Sequence, residues 1–363
     1  MRRTLPLLAL ALLLAAPAGA GAAKPTVRNC ETAGWSVDGN ALVRVAEMPS
    51  VVACSLENGR RRLLGDHWIS SQEWAAVRPL VLAGRFVLAH RTYCSRQSCE
   101  PTQLEIFDMR TGKHRLRRRL DYPGVVEAVL APGGSAAWIE QVPDGGRTLH
   151  RLDPGGETVV ASGDVSDLAL SARGTLYWSE AGVARSASLE AIDPQARPQE
   201  RRPRCGPRLG TIAVNPWARI HSPDAGLYEA CSAENRRDHE LGESAASPSG
   251  EERVGPFALS RRLVAFYSAS CGGDPFGCSP SGIQLLDVRT GRGRTVASVP
   301  DVYSVGELVL KRNGSVAFTA GGVWIADRGG QRVVGGGADL ALGKTSVVYW
   351  TDIGGTPRSA PVG

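Results

Sequence analysis

Beyond residue 23 the sequence has no apolar run of about 18 residues, so it offers no helical membrane span. Histidines are few, six in all. None stands in a His-x-His or His-Glu-x-x-His arrangement, which excludes the local signature of a zinc hydrolase. No Gly-x-Ser-x-Gly elbow occurs, because Asp38 follows Gly34-Trp35-Ser36-Val37 where the second glycine would stand. A sustained 3.6-residue apolar period is missing, which argues against a helical domain. Lysine is almost absent: of 42 basic residues only Lys24, Lys113, Lys311 and Lys344 are lysine. Against these stand 36 acidic residues. Runs such as Arg60-Arg61-Arg62 and Arg117-Arg118-Arg119 could touch a polyanion. The near balance of charge favours an ordinary solvated surface instead, and no nucleic-acid partner is expected.

The N-terminus carries a different signal. Arg2 and Arg3 precede an apolar stretch from Leu5 to Ala16, and Ala18-Gly19-Ala20 follows as a small-residue cleavage site. That is the layout of a secretory signal peptide over residues 1–23, so the chain is expected to be secreted or periplasmic. All eight cysteines lie beyond it, at 30, 54, 94, 99, 205, 231, 271 and 278. An even count in an exported chain reads as disulfides. Zinc would want Cys-x2-Cys or paired Cys/His spacing, and the intervals here are Cys-x4-Cys and Cys-x6-Cys. Neither a metal nor another cofactor is expected.

The sequence repeats itself. Residues 94–113, "CSRQSCEPTQLEIFDMRTGK", match 271–292, "CGGDPFGCSPSGIQLLDVRTGR". Upstream, "ACSLENGRRRLLG" at 53–65 matches "ACSAENRRDHELG" at 230–242. Downstream, "DLALSARGTLYWSE" at 167–180 matches "DLALGKTSVVYWTD" at 339–352. An offset staying near 175 indicates an internal duplication, with halves at about 30–204 and 205–363. Each half divides into four units. Every unit holds three or four short apolar or alternating runs separated by Gly, Pro, Asp or Asn, the pattern of strands and hairpin turns.

Four-stranded units of about 40 residues are propeller blades. The chain from 24 to 363 is therefore expected to be a single all-β domain, a β-propeller of eight blades (seven being the alternative). The strand followed by Asp-x-Arg-Thr-Gly at 104–115 and 283–294 resembles TolB-type and related WD-type bacterial β-propeller repeats. That resemblance implies a fold and brings no functional residue with it. In this pattern the aspartate accepts bonds from the turn backbone, and the glycine takes the positive-φ position. The last unit lacks a fourth strand, so residues 23–29 are expected to pair with 356–362 and close the ring. The cysteines are expected to pair as Cys94–Cys99, Cys271–Cys278, Cys30–Cys54 and Cys205–Cys231.

The expected role is a binding or interaction scaffold, a monomer meeting a protein or glycan partner on one propeller face. Loops rigidified by the short disulfides are where a contact is expected, with Arg96, Gln97, Asp274 and Phe276 as candidates. The alternatives are a propeller enzyme of glycan hydrolase or lyase type, with its site at the channel mouth, and a structural cell-envelope component. No catalytic residue is assigned. Residues 338–345, "ADLALGKT", fit a loose phosphate-loop pattern, but a strand rather than a helix is expected around them. The tryptophans could stack on sugars. Packing between blades is the favoured reading, since Trp178 and Trp350 sit in matching strands.

Overall fold

The computed structural model describes residues 38–39, 43–47, 50–55, 58–66, 68–69, 73–193, 211–215, 217–223, 226–247, 250–272, 281–299 and 305–363. These residues form eight antiparallel sheets and no helix. In chain order the sheets span residues 38–66, 68–120, 124–163, 165–188, 211–243, 245–299, 308–335 and 338–361. We call them sheets one to eight. Each is a meander in which every strand pairs with the next along the chain. Their strand numbers run four, five, four, three and then again four, five, four, three. Successive meanders packed face to face are the blades of a β-propeller, the fold expected from the sequence.

Alternation along each strand assigns its two faces to two different neighbours. In Phe86–Ser95, Phe86 and Leu88 pack towards sheet three, while Val87 and Ala89 pack towards sheet one. In Ala136–Gln141, Ala136 and Trp138 meet sheet two, and Ala137 and Ile139 meet sheet four. The core is thus a stack of layers, one between each pair of neighbouring sheets. Trp138, Trp178 and Trp350 are buried in these layers. Burying such large side chains is the main stabilising term, and a Trp→Ala change in a core typically costs about 3–5 kcal/mol.

The layers give an order that differs from the chain order. Sheets one, two, three and four follow one another, and sheets five, six, seven and eight do the same. The two runs join where sheet four meets sheet eight, through Ala169, Tyr177, Ala341 and Tyr349. Strand Val165–Leu170 lies beside Ala338–Leu342, and Val183–Ser188 beside Pro357–Pro361. The closure expected from the sequence paired residues 356–362 with 23–29, and residues 23–29 lie outside the described residues. In the described part the last sheet packs on the fourth. Both have three strands among the described residues.

The two Asp-x-Arg-Thr-Gly turns form as expected. Asp108 Oδ1 accepts the N–H groups of Arg110 (2.9 Å) and Thr111 (3.3 Å), and Gly112 takes φ +73°. Asp287 Oδ1 likewise accepts Arg289 N–H (3.0 Å) and Thr290 N–H (3.4 Å), with Gly291 at φ +71°. Each aspartate also holds an arginine from the neighbouring hairpin, Arg85 on Asp108 (3.2 Å) and Arg262 on Asp287 (3.0 Å). The "ADLALGKT" segment is strand Ala338–Leu342 followed by a turn and strand Val347–Thr351, so it builds no phosphate loop. No described helix is long and apolar enough to cross a membrane.

Candidate binding sites

Strands Glu73–Ala83, Gly124–Leu130 and Val165–Leu170 of three neighbouring sheets lie side by side, and a concavity opens over them. Its wall is apolar: Val77, Leu80, Val81, Val125, Val126, Ala128 and Leu168, from sheets two, three and four. The cavity measures about 580 Å³. Arg78, from a bulge in strand Glu73–Ala83, lines it together with Arg312 and Lys344 from turns of sheets seven and eight. All three side chains are exposed. None has an ion-pair partner among the described residues. Glu127 is the one carboxylate among the described lining residues, and it is already engaged. Its oxygens accept the N–H groups of Asp167 (3.2 Å) and Leu168 (2.9 Å) across the gap to sheet four.

Arg312 also lines a neighbouring cavity of about 340 Å³ with Trp217, Glu234, Arg261 and Arg262. The Arg261 guanidinium sits 5.6 Å above the Trp217 ring, a cation–π contact. Basic charge therefore continues from one half of the chain into the other. His90, opposite Tyr267 in the repeat, is a packing residue. Its Nδ1–H donates to the Arg78 carbonyl (2.8 Å), its Nε2 accepts Val125 N–H (3.4 Å), and burial holds the ring below its ordinary pKa.

The loop between strands Phe86–Ser95 and Thr102–Asp108 is stapled by Cys94–Cys99. Arg96 and Gln97 are exposed at its tip. Ser95 Oγ accepts the N–H of Gln97 and of Ser98 (both 3.3 Å), so the tip is a tight, ordered turn. This loop lies at the Glu73 end of strand Glu73–Ala83, since Glu73 pairs with Ser95. Arg78 is five residues further on, roughly 17 Å along the strand. The loop and the basic concavity are thus separate surfaces. Asp274 and Phe276, Cys278 with them, lie outside the described residues, as do Cys30, Cys205 and the signal segment. Cys54 and Cys231 are each in a disulfide.

Sequence spacing missed two arrangements. One is the basic concavity, whose cations come from three sheets far apart in the chain. The other is a group on three neighbouring strands of sheet five, His221, Glu229 and Asp238, with ligand-type atoms within 4.8 Å of one another. His221 Nε2 is 3.0 Å from Glu229 Oε2, an ordinary cross-strand pair.

No family model matches the sequence, and no curated protein matches it. Solved structures similar over most of the chain include BamB from Moraxella catarrhalis, at 13% identity and a TM-score of 0.28, covering 90% of this chain and 83% of that one. The beta-propeller domain of the Trilobed protease from Pyrococcus furiosus is 11% identical with a TM-score of 0.26, over 80% of this chain and 93% of that one. Oligogalacturonate lyase in complex with manganese is 10% identical with a TM-score of 0.29, over 87% and 84%. These likenesses assign this chain no activity, ligand or partner.

Proposed function

We propose that the protein is an exported, monomeric propeller scaffold of eight blades that binds an acidic segment of another protein in the basic concavity. One observation carries this reading: three cations without ion-pair partners among the described residues, Arg78, Arg312 and Lys344, stand at one apolar-walled cavity. Carboxylates of a partner would pair with the cations, and its apolar side chains would rest on the valine and leucine wall. A wall without aromatic rings among the described residues fits a peptide better than a sugar, since sugars are held by ring stacking. The stapled-loop residues Arg96 and Gln97, with Asp274 and Phe276, are a second contact region in this proposal.

The test is fluorescence anisotropy with a labelled peptide of alternating Glu and Leu, measured in the protein without its first 23 residues. Binding should weaken with added salt, as steered charge pairing does. It should be lost in a variant carrying Arg78→Glu, Arg312→Glu and Lys344→Glu. Unchanged binding in that variant, or tighter binding of an anionic polysaccharide than of the peptide, overturns the proposal.

A further inference from the structure

Asp167 and Asp339 occupy matching places in sheets four and eight, and both have left-handed backbones, at φ 55° and 66°. Their surroundings have diverged. Asp167 is saturated: Oδ1 accepts Thr345 N–H (2.8 Å) and Oδ2 accepts the Tyr349 hydroxyl (2.9 Å). The turn at Gly343 presses on it so closely that a Cβ there would stand 2.4 Å from Oδ2. At Asp339 the corresponding turn carries Ser171 instead of Gly343. Ser171 cannot approach as the glycine does. Its Oγ folds back to accept Arg173 N–H (3.2 Å) and Thr175 N–H (3.0 Å).

The consequence is a cleft. Asp339 keeps the Tyr177 hydroxyl on Oδ2 (3.1 Å), while its Oδ1 is buried with no hydrogen-bond partner among the described residues. The residue is only 8% exposed. It lines a cavity of about 720 Å³ bounded by sheets seven and eight and the turn at Arg173. The rest of the described lining is Ala338, the hydroxyl-bearing Thr175, Thr319 and Thr351, and glycine backbone, including Gly321, Gly322, Gly336 and Gly337, with Ile353 on the rim, 92% exposed. The lining charges are otherwise committed. Arg173 is paired with Glu307. Asp352 accepts Gly354 and Thr356 N–H groups on Oδ1 and holds Arg358 on Oδ2.

We propose that this cleft binds a small organic cation, an ammonium or guanidinium group on an apolar body, with Asp339 as its counter-ion. A buried carboxylate oxygen without a donor is costly, and a cation is the partner that relieves it most. A calcium ion takes six to eight oxygens, usually several of them from carboxylates, and Asp339 is the one uncommitted carboxylate among the described lining residues. The cavity is also of the size that holds a small organic ligand. This site is distinct from the basic concavity and has the opposite charge, so either proposal can fail without the other.

The experiment is titration calorimetry of the mature protein with phenethylammonium chloride, against 2-phenylethanol as the uncharged analogue and calcium chloride as the bare ion. The ammonium should bind at least about tenfold more tightly than the alcohol, as a charge-assisted bond requires. Asp339→Asn should lose that advantage. Ile353→Ser, at an exposed position that leaves the fold intact, should weaken binding about two- to fivefold by removing apolar contact. Equal binding of the alcohol, binding by calcium in place of the ammonium, an unaltered Asp339→Asn or Ile353→Ser variant, or no binding of the ammonium each overturns the proposal.

Discussion

The rings of Tyr177 and Tyr349 lie 5.7 Å apart and within 16° of parallel, and each hydroxyl bonds to an aspartate of the opposite sheet. Burial is the main reason both phenols stay protonated, and the Tyr177 pKa is pushed up to about 12. Each therefore donates at any ordinary pH. Tyr349→Phe would strip Asp167 Oδ2 of its donor inside the layer that joins sheets four and eight. The expected loss is about 1–3 kcal/mol of unfolding free energy in urea, the usual cost of orphaning a buried acceptor. An unchanged denaturation midpoint would show that this layer does not hold the two runs of sheets together.

Gly343 and Ser171 make a second test of that layer. Gly343→Ser places a Cβ against Asp167 and must push the turn away. A loss of roughly 1–3 kcal/mol is expected, the usual cost of overpacking. Ser171→Gly removes the Oγ bonds to Arg173 and Thr175 N–H from a buried position. Ala172 and Arg173 of that turn are exposed, so water can replace those bonds, and the change should cost about 1 kcal/mol. Thermal melts of the two variants compare them directly, and equal losses would refute the asymmetry.

Much of this was legible in the sequence. The duplication, the strand pattern and the Asp-x-Arg-Thr-Gly turns follow from local chemistry, because period-two alternation and turn residues act over a few positions. Even the equivalence of Tyr177 and Tyr349 can be read from matching segments. Their meeting cannot. Alternation says that Tyr177 faces away from Leu176 and Trp178, yet it does not say which sheet lies there. The concavity escaped notice for the same reason: Arg78, Arg312 and Lys344 share no motif, and only the packing order of the sheets brings them together.

His150 gives the protein an acid sensitivity. Burial, aided by the Arg118 guanidinium beside it, lowers its pKa to about 4. The neutral ring accepts Arg118 at Nδ1 (3.3 Å), and its Nε2 stands 3.1 Å from Glu140 Oε2. In the unfolded chain it would titrate near 6.5. Between pH 6.5 and 4 the unfolded state binds the extra proton, so stability falls as pH falls through that window. The full effect is on the order of 3 kcal/mol, complete below pH 4. Urea midpoints at pH 7 and pH 4.5 should differ more in the parent than in His150→Gln. An equal difference in both would assign the acid sensitivity to other groups.

The Cys94–Cys99 bridge closes a very short loop. In the chain-entropy model a loop of this size contributes only about 2 kcal/mol. Replacing both cysteines by serine should lower the melting temperature modestly and increase amide exchange in residues 95–98. Unchanged exchange there would mean that the Ser95 turn orders the tip without help from the bridge.

A contact in which the same residues arrive from both sides is the signature of a two-fold homodimer. Sheets four and eight meet in that way, so the chain is organised as a dimer whose subunits have become one polypeptide. Tethering makes the encounter of the two copies intramolecular and independent of protein concentration. It also releases a constraint. In a true homodimer one gene supplies both faces, and a glycine on one side is a glycine on the other. Here Gly343 could remain while its counterpart became Ser171, and one of two identical contacts was free to open into a cleft.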